Sequence, residues 1–257
     1  MFRTLSLLLC LFARADDVRP PPDPARVKTA VAELEKAAKS DSAPERARVL
    51  LAQGNVPDPA VVKLVARALR DKEPDVQRAA IEALRFVAHP DALKELQSAA
   101  REEKPLRKLP ELHAALLRAI GQYGDPSSVR ILGEDAWSDD EAPVIQARIL
   151  GLGRIRTREA VDKLIDLMKS ASAARLAASM PDFRLALVSE SGVDRGNSPE
   201  GWQSWWNEHR SELKFDARPT ELPTDLARKW KTYWGDMEYD ARPTKRADRG
   251  RGDRPGS

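Results

Sequence analysis

Gln77–Leu93 reads QRAAIEALRFVAHPDAL: a helix of small apolar residues, a short polar break, and the opening of a second helix. The same plan recurs in APERARVLLAQGNVPDPAV (Ala43–Val61), HAALLRAIGQYGDPSSV (His113–Val129) and IQARILGLGRIRTREAV (Ile145–Val161), in register at offsets of 32, 36 and 32 residues. A period of this size is one helical hairpin, and such a unit buries its apolar face only by stacking on its neighbours. The chain of 257 residues is 42% hydrophobic and 32% charged, with only 5% aromatic residues. That suits helices with one buried stripe and one solvated face. Alternating β-branched or aromatic stretches are absent, so the expected class is all-α.

Outward from the repeats, about five helix pairs are expected. Pro24–Lys39 pairs with Arg46–Gln53, and a helix opening at Asp58-Pro59 pairs with Asp75–Ala88. Asp91–Glu103 pairs with Pro110–Tyr123 through a loop around Lys104-Pro105, and Pro126–Trp137 with Glu141–Gly153. Arg158–Lys169 with about Ala173–Val188 closes the array, which spans residues 25–190. Asp-Pro starts supply an N-cap oxygen and a pre-set φ at the first helical position. Ala79, Ala83, Ala115 and Ala119 are small enough for second helices to approach one another closely.

The run DPAVVKLVARALRDKEPDVQRAAIEALRFVA (Asp58–Ala88) resembles a HEAT-type repeat, of the kind called PBS-lyase HEAT-like in bacterial proteins. The likeness lies in the Leu/Val stripe of the first helix, the Asp between helices, and Val76, Arg78, Ala79, Ala80, Ala83 and Leu84 of the second. It implies an α-α superhelix that serves as a binding scaffold, and it does not name what is bound.

The ends differ from the array. Met1–Ala15 has Arg3, an apolar run LSLLLCLF and an Ala-Arg-Ala site, and reads as an export signal cleaved after Ala15. A short amphipathic first helix is the alternative, and the run is too short for a stable membrane anchor. Cleavage would remove Cys10, the only cysteine. It would also remove Arg3 and Arg14, taking the formal charge from +3 to about +1. Residues 16–24 form a Pro-rich linker.

Beyond the array, Ser198-Pro199 starts a helix in segment 198–212 that sets Trp202, Trp205 and Trp206 on one face. Exported bacterial HEAT-repeat proteins end similarly, and the face reads as a structural cap on the open solenoid, with an aromatic ligand platform as the alternative. Segment 213–240 holds one short helix around Pro223–Gly235, with Leu226, Trp230, Tyr233 and Trp234 along one side. The tail 241–257 has six basic and two acidic residues and reads as disordered.

No nucleophile elbow, P-loop or dinucleotide fingerprint occurs, and His89, His113 and His209 lie far apart along the array. The expectation is a non-enzyme without cofactor or metal, exported to the periplasm or cell exterior. It would bind a protein or peptide through the groove lined by second helices. Arg46, Arg78, Glu82, Arg118 and Arg148 are the candidate groove residues, against the plainer reading of an ordinary solvated face. The alternative function is an envelope-surface or polyanion binder acting through the basic tail; a bilin-lyase-like enzyme is supported only by the repeat's name. Nothing in the chain points to a specific nucleic acid, a membrane span or an oligomeric state.

Overall fold

Helix starts are set by local capping. Asp58 Oδ1 accepts from the Ala60 amide at 2.8 Å, with Pro59 next in line, and Asp23, Ser42, Thr157 and Ser198 cap their helices in the same way. His89 does so with a ring nitrogen, Nδ1 accepting from the Asp91 amide at 3.2 Å. A computed structural model describes residues 21–134, 141–174, 176–215 and 221–235. The signal segment 1–15, most of the linker and the tail 241–257 lie outside the described residues.

Five helix pairs stack in two layers among the described residues. One layer holds α1 (Pro24–Ala37), α3 (Pro59–Arg67), α5 (Pro90–Glu102), α8 (Val129–Gly133) and α10 (Arg158–Ala173). The other holds α2 (Ala43–Gln53), α4 (Pro74–Arg85), α7 (Pro110–Gln122), α9 (Ala142–Leu152) and α11 (Met180–Ser191). Within each layer every helix packs on the next, and each pair packs across, so one apolar core runs the length of the stack. The all-α solenoid follows directly from the helical period of the repeats. Among the described residues, no helix is long and apolar enough to cross a membrane.

Several boundaries depart from expectation. α10 runs to Ala173, beyond Lys169. The helix expected over Pro126–Trp137 opens as a 3-10 turn at Pro126–Ser128 and ends, as α8, at Gly133, with residues 135–137 outside the described residues. The connection at Lys104-Pro105 folds into a short helix, α6 (Lys104–Lys108), that buries Leu106. The second helix of the fifth pair starts at Met180, after a 3-10 turn at Ala177–Ser179, and not near Ala173. Pro181 explains the late start, since it is tolerated in a first helical turn and disrupts an interior.

The second-helix layer is close-packed by its smallest residues. Ala79, Ala83, Ala115 and Ala119 are buried. The tightest approaches fall on glycines: a Cβ built on Gly54 would lie 2.8 Å from Ala83 Cβ, one on Gly121 would lie 2.6 Å from Gly151 Cα, and one on Gly153 would lie 2.7 Å from Ala186 Cβ. The remaining helices flank this stack. α12 (Pro199–His209) packs on α10, continuing the first layer by one helix. α13 (Thr224–Trp234) lies across the second layer.

Arg46, expected on the groove, is inside. Its Nε and Nη2 donate to both oxygens of Asp71 at 2.9 Å, and Nη1 donates to the Ser40 carbonyl at 2.9 Å. Asp71 also accepts from the Glu73 amide at 3.0 Å. The inter-helix Asp of the repeat thereby clamps one pair to the next, and leaves Arg46 only 8% exposed.

Burial alone would raise the Asp71 carboxyl, but the Arg46 bonds and the Glu73 amide outweigh it and hold it below its ordinary value. A carboxyl depressed in the folded state contributes stability above the unfolded value, about pH 4, and loses it as pH falls through the folded value. The urea midpoint of Asp71→Asn should therefore lie below that of the parent at pH about 6. The gap should narrow on acidification to about pH 3. A gap independent of pH would place the stabilisation elsewhere.

Candidate partner-binding face

The layer formed by α2, α4, α7, α9 and α11 presents a broad face, and α13 is seated on it. This helix carries the stripe Leu226, Trp230, Tyr233 and Trp234, and of these Leu226 and Trp234 are 1% and 3% exposed. It ends at Gly235, whose φ of 87° lets the chain leave the helix. Trp234 packs edge-on against Tyr233, with centroids 4.9 Å apart, and against Trp230 at 5.7 Å. The tip of its indole rests on α7: a Cβ on Gly121 would meet Trp234 Cη2 at 3.2 Å.

Three guanidiniums surround this aromatic end. Arg85 of α4 donates through Nη2 to the Trp234 carbonyl at 2.8 Å and to Gln122 Oε1 of α7 at 3.0 Å. Its Nη1 donates to Glu82 at 3.3 Å. Arg118 lies 5.1 Å over the Tyr233 ring, and Arg154 lies 4.7 Å over the Trp234 ring. Burial and then the neighbouring Arg118 charge push the Arg85 guanidinium below its ordinary value. Burial pushes the Tyr233 phenol well up, so it stays neutral. Cations at this point also complement the negative end of the α13 dipole.

The far end of α13 meets α11. Lys229 is within electrostatic reach of Asp182, and Asp225 of Arg184. Burial raises the Asp182 carboxyl, against the opposing effects of two hydrogen bonds from Gln146 Nε2 at 3.2 Å and of Lys229. Burying Leu226 and Trp234 contributes about 2–3 kcal/mol each. Ordering a docked segment of this kind costs about 2–5 kcal/mol or more.

The five sequence candidates separate. Arg118 touches α13 directly, Glu82 supports Arg85, and Arg78 is exposed on α4. Arg46 and Arg148 are withdrawn from the face. Arg148 is 6% exposed, and its Nη1 donates to the Ile131 carbonyl at 2.8 Å. It forms part of a cavity of about 460 Å³ bordered by His113, Arg101, Lys104, Arg107 and Lys108. Packing explains the withdrawal: each of these two arginines meets an acceptor supplied by a neighbouring segment.

The tryptophans of α12 are also internal. Trp202, Trp205 and Trp206 are 0%, 5% and 2% exposed. Trp206 Nε1 donates to Asp162 of α10 at 2.7 Å, and His209 stacks on Trp205 at 5.3 Å. Among the described residues no group of three His, Cys, Asp or Glu side chains is placed to hold a metal ion.

Sequence reasoning missed Arg85, Gln122, Arg154 and Asp182 as parts of one face. The aromatic stripe of α13 was visible, but nothing local says which surface it covers.

Residues 31–109 match the family model for HEAT repeats. The match runs from within α1 to Leu109, the residue before α7, covering the latter half of α1, the rest of the first two pairs, α5 and α6. No curated protein matches the chain. HEAT repeats generally mediate protein–protein interaction as scaffolds. Residues 31–109 are thus similar to HEAT repeats, and the later helix pairs stack on them in the same two layers.

Proposed function

We propose that this chain is an exported, non-catalytic scaffold that binds a protein partner through the face formed by α4, α7, α9 and α11. The observation that carries the reading is α13 itself: this face holds an amphipathic helix by a buried tryptophan and three guanidiniums. Helix-in-groove recognition uses the same elements, with apolar anchors at helical spacing and polar groups that fix direction. Export rests on the Met1–Ala15 pattern.

Crosslinking in the native envelope, with the full chain as bait, tests this reading. A bait starting at Asp16 and a specific crosslinked protein are expected, with capture reduced at least about tenfold by Arg118→Glu, which places a like-signed repulsion against the ligand's electron-rich rings. Capture indifferent to Arg118→Glu and Arg78→Glu, but lost without Ala241–Ser257, would sink the face as the binding surface and favour the polyanion-binding tail.

A further inference from the structure

With α13 seated, the Arg85 end of the face holds four buried hydrogen-bond donors without an acceptor. Arg85 Nη2 uses the Trp234 carbonyl, yet the adjoining Arg85 Nε is buried with no acceptor. Arg118 Nε, Gln122 Nε2 and Trp234 Nε1 are buried without acceptors as well. Gln122 and Arg85 are 1% and 3% exposed. Buried donors left unpaired are costly, and those on a cation most of all. Among the described residues only Glu82 forms an ion pair with Arg85, and it does so through Nη1, away from Nε. α13 answers the cluster with a neutral carbonyl and ring faces. A carboxylate standing at the Trp234 carbonyl would bring a second oxygen to the Nε–Nη2 edge of Arg85. Arg46 binds Asp71 by that same edge within this molecule.

We propose that the face between α4 and α9 is a receptor for the C-terminal end of a partner protein's helix, with adjacent aromatic residues in its last turn and a free α-carboxylate received by Arg85. α13 is the resident occupant that such a helix displaces. The charges of α13 supply the rest of the ligand's pattern: an acidic residue near its start, within electrostatic reach of Arg184, and a basic one near its middle, within electrostatic reach of Asp182. Capture of a helix end by arginine and ring contacts follows from charge-assisted bonding and from the helix dipole. The proposal rests on the reading of this face as the binding surface.

The test uses the full chain and two fluorescent peptides of sequence TDLARKWKTYW (Thr224–Trp234), one ending in a free carboxylate and one in an amide. The full-length variant Tyr233→Ala with Trp234→Ala vacates the face. By fluorescence anisotropy it should bind the carboxylate peptide at least about tenfold more tightly than the unsubstituted chain, whose tethered α13 competes at high effective concentration. It should also prefer carboxylate over amide by about tenfold, and adding Arg85→Met should abolish that preference. Where the double variant loses helix content by circular dichroism, Trp234→Ala alone must show the same order of affinities.

Equal binding of the two peptides, or no binding by a vacated variant of unchanged helicity, would overturn the proposal. Dimers of the unsubstituted chain that the peptide dissolves would overturn it in favour of exchange of α13 between two copies. Failure of the underlying reading is seen separately, as partner capture by the vacated variant, where Arg118 no longer holds Tyr233, that ignores Arg118→Glu whatever the peptides do.

Discussion

Trp202→Ala is expected to lower the unfolding free energy by about 3–5 kcal/mol, the range for truncating a fully buried large aromatic. Trp202 is 0% exposed, meets Trp205 edge-on at 5.9 Å, and donates Nε1 to the Gly196 carbonyl at 2.9 Å. Its loss removes the largest fully buried side chain of α12 and leaves the Gly196 carbonyl without that donor. The damage should spread, because α12 covers α10 and the units of a solenoid are stabilised by their neighbours. Urea denaturation followed by far-UV circular dichroism measures it. Ser204→Ala, exposed on the same helix, serves as the control and should stay within about 0.5 kcal/mol of the parent. A loss below about 1 kcal/mol for Trp202→Ala would mean that α12 contributes little to closing the array.

Gly121→Leu should be comparably damaging, at about 3 kcal/mol or slightly more, the upper range for overpacking a close-packed interior. Its Cβ would lie 2.6 Å from Gly151 Cα, and a backbone atom cannot rotate away as a side chain can. The same Cβ meets the Trp234 indole at 3.2 Å, so the substitution also lifts α13 from its seat. Two readouts are therefore expected: a lower urea midpoint, and tryptophan fluorescence more readily quenched by acrylamide at denaturant concentrations where the array is folded. Gly121→Ala should be milder, since the clash is offset by up to about 1 kcal/mol of helix propensity. Unchanged quenching in a destabilised Gly121→Leu protein would separate the α7–α9 crossing from the docking of α13, and would count against their shared use of Gly121.

The candidate face was only partly legible in advance. Arg118 stood out because the repeat register puts it on a second helix, and it does contact the docked helix. Arg46 carried the same signal, yet Asp71 lies 25 residues on, and the pairing becomes visible only when two units stack. The four buried alanines were readable from their spacing, whereas the closest crossing uses Gly121 and Gly151, which differ in repeat register. Arg85 looked like one more solvated cation at the end of a helix. Its 3% exposure comes from Gln122 and from Trp234, 149 residues away.

What the sequence determined by itself was local or periodic. Helix class, the Asp-Pro and Ser-Pro starts, and the pairing of helices into stacked units depend on contacts within a few residues or on a repeat of one hairpin. Tertiary structure alone decided how the second-helix face is used. Whether an arginine there is free, clamped or buried depends on acceptors from distant segments. So does the seating of α13, where an aromatic stripe finds its glycine floor and three cations only after the whole layer has assembled.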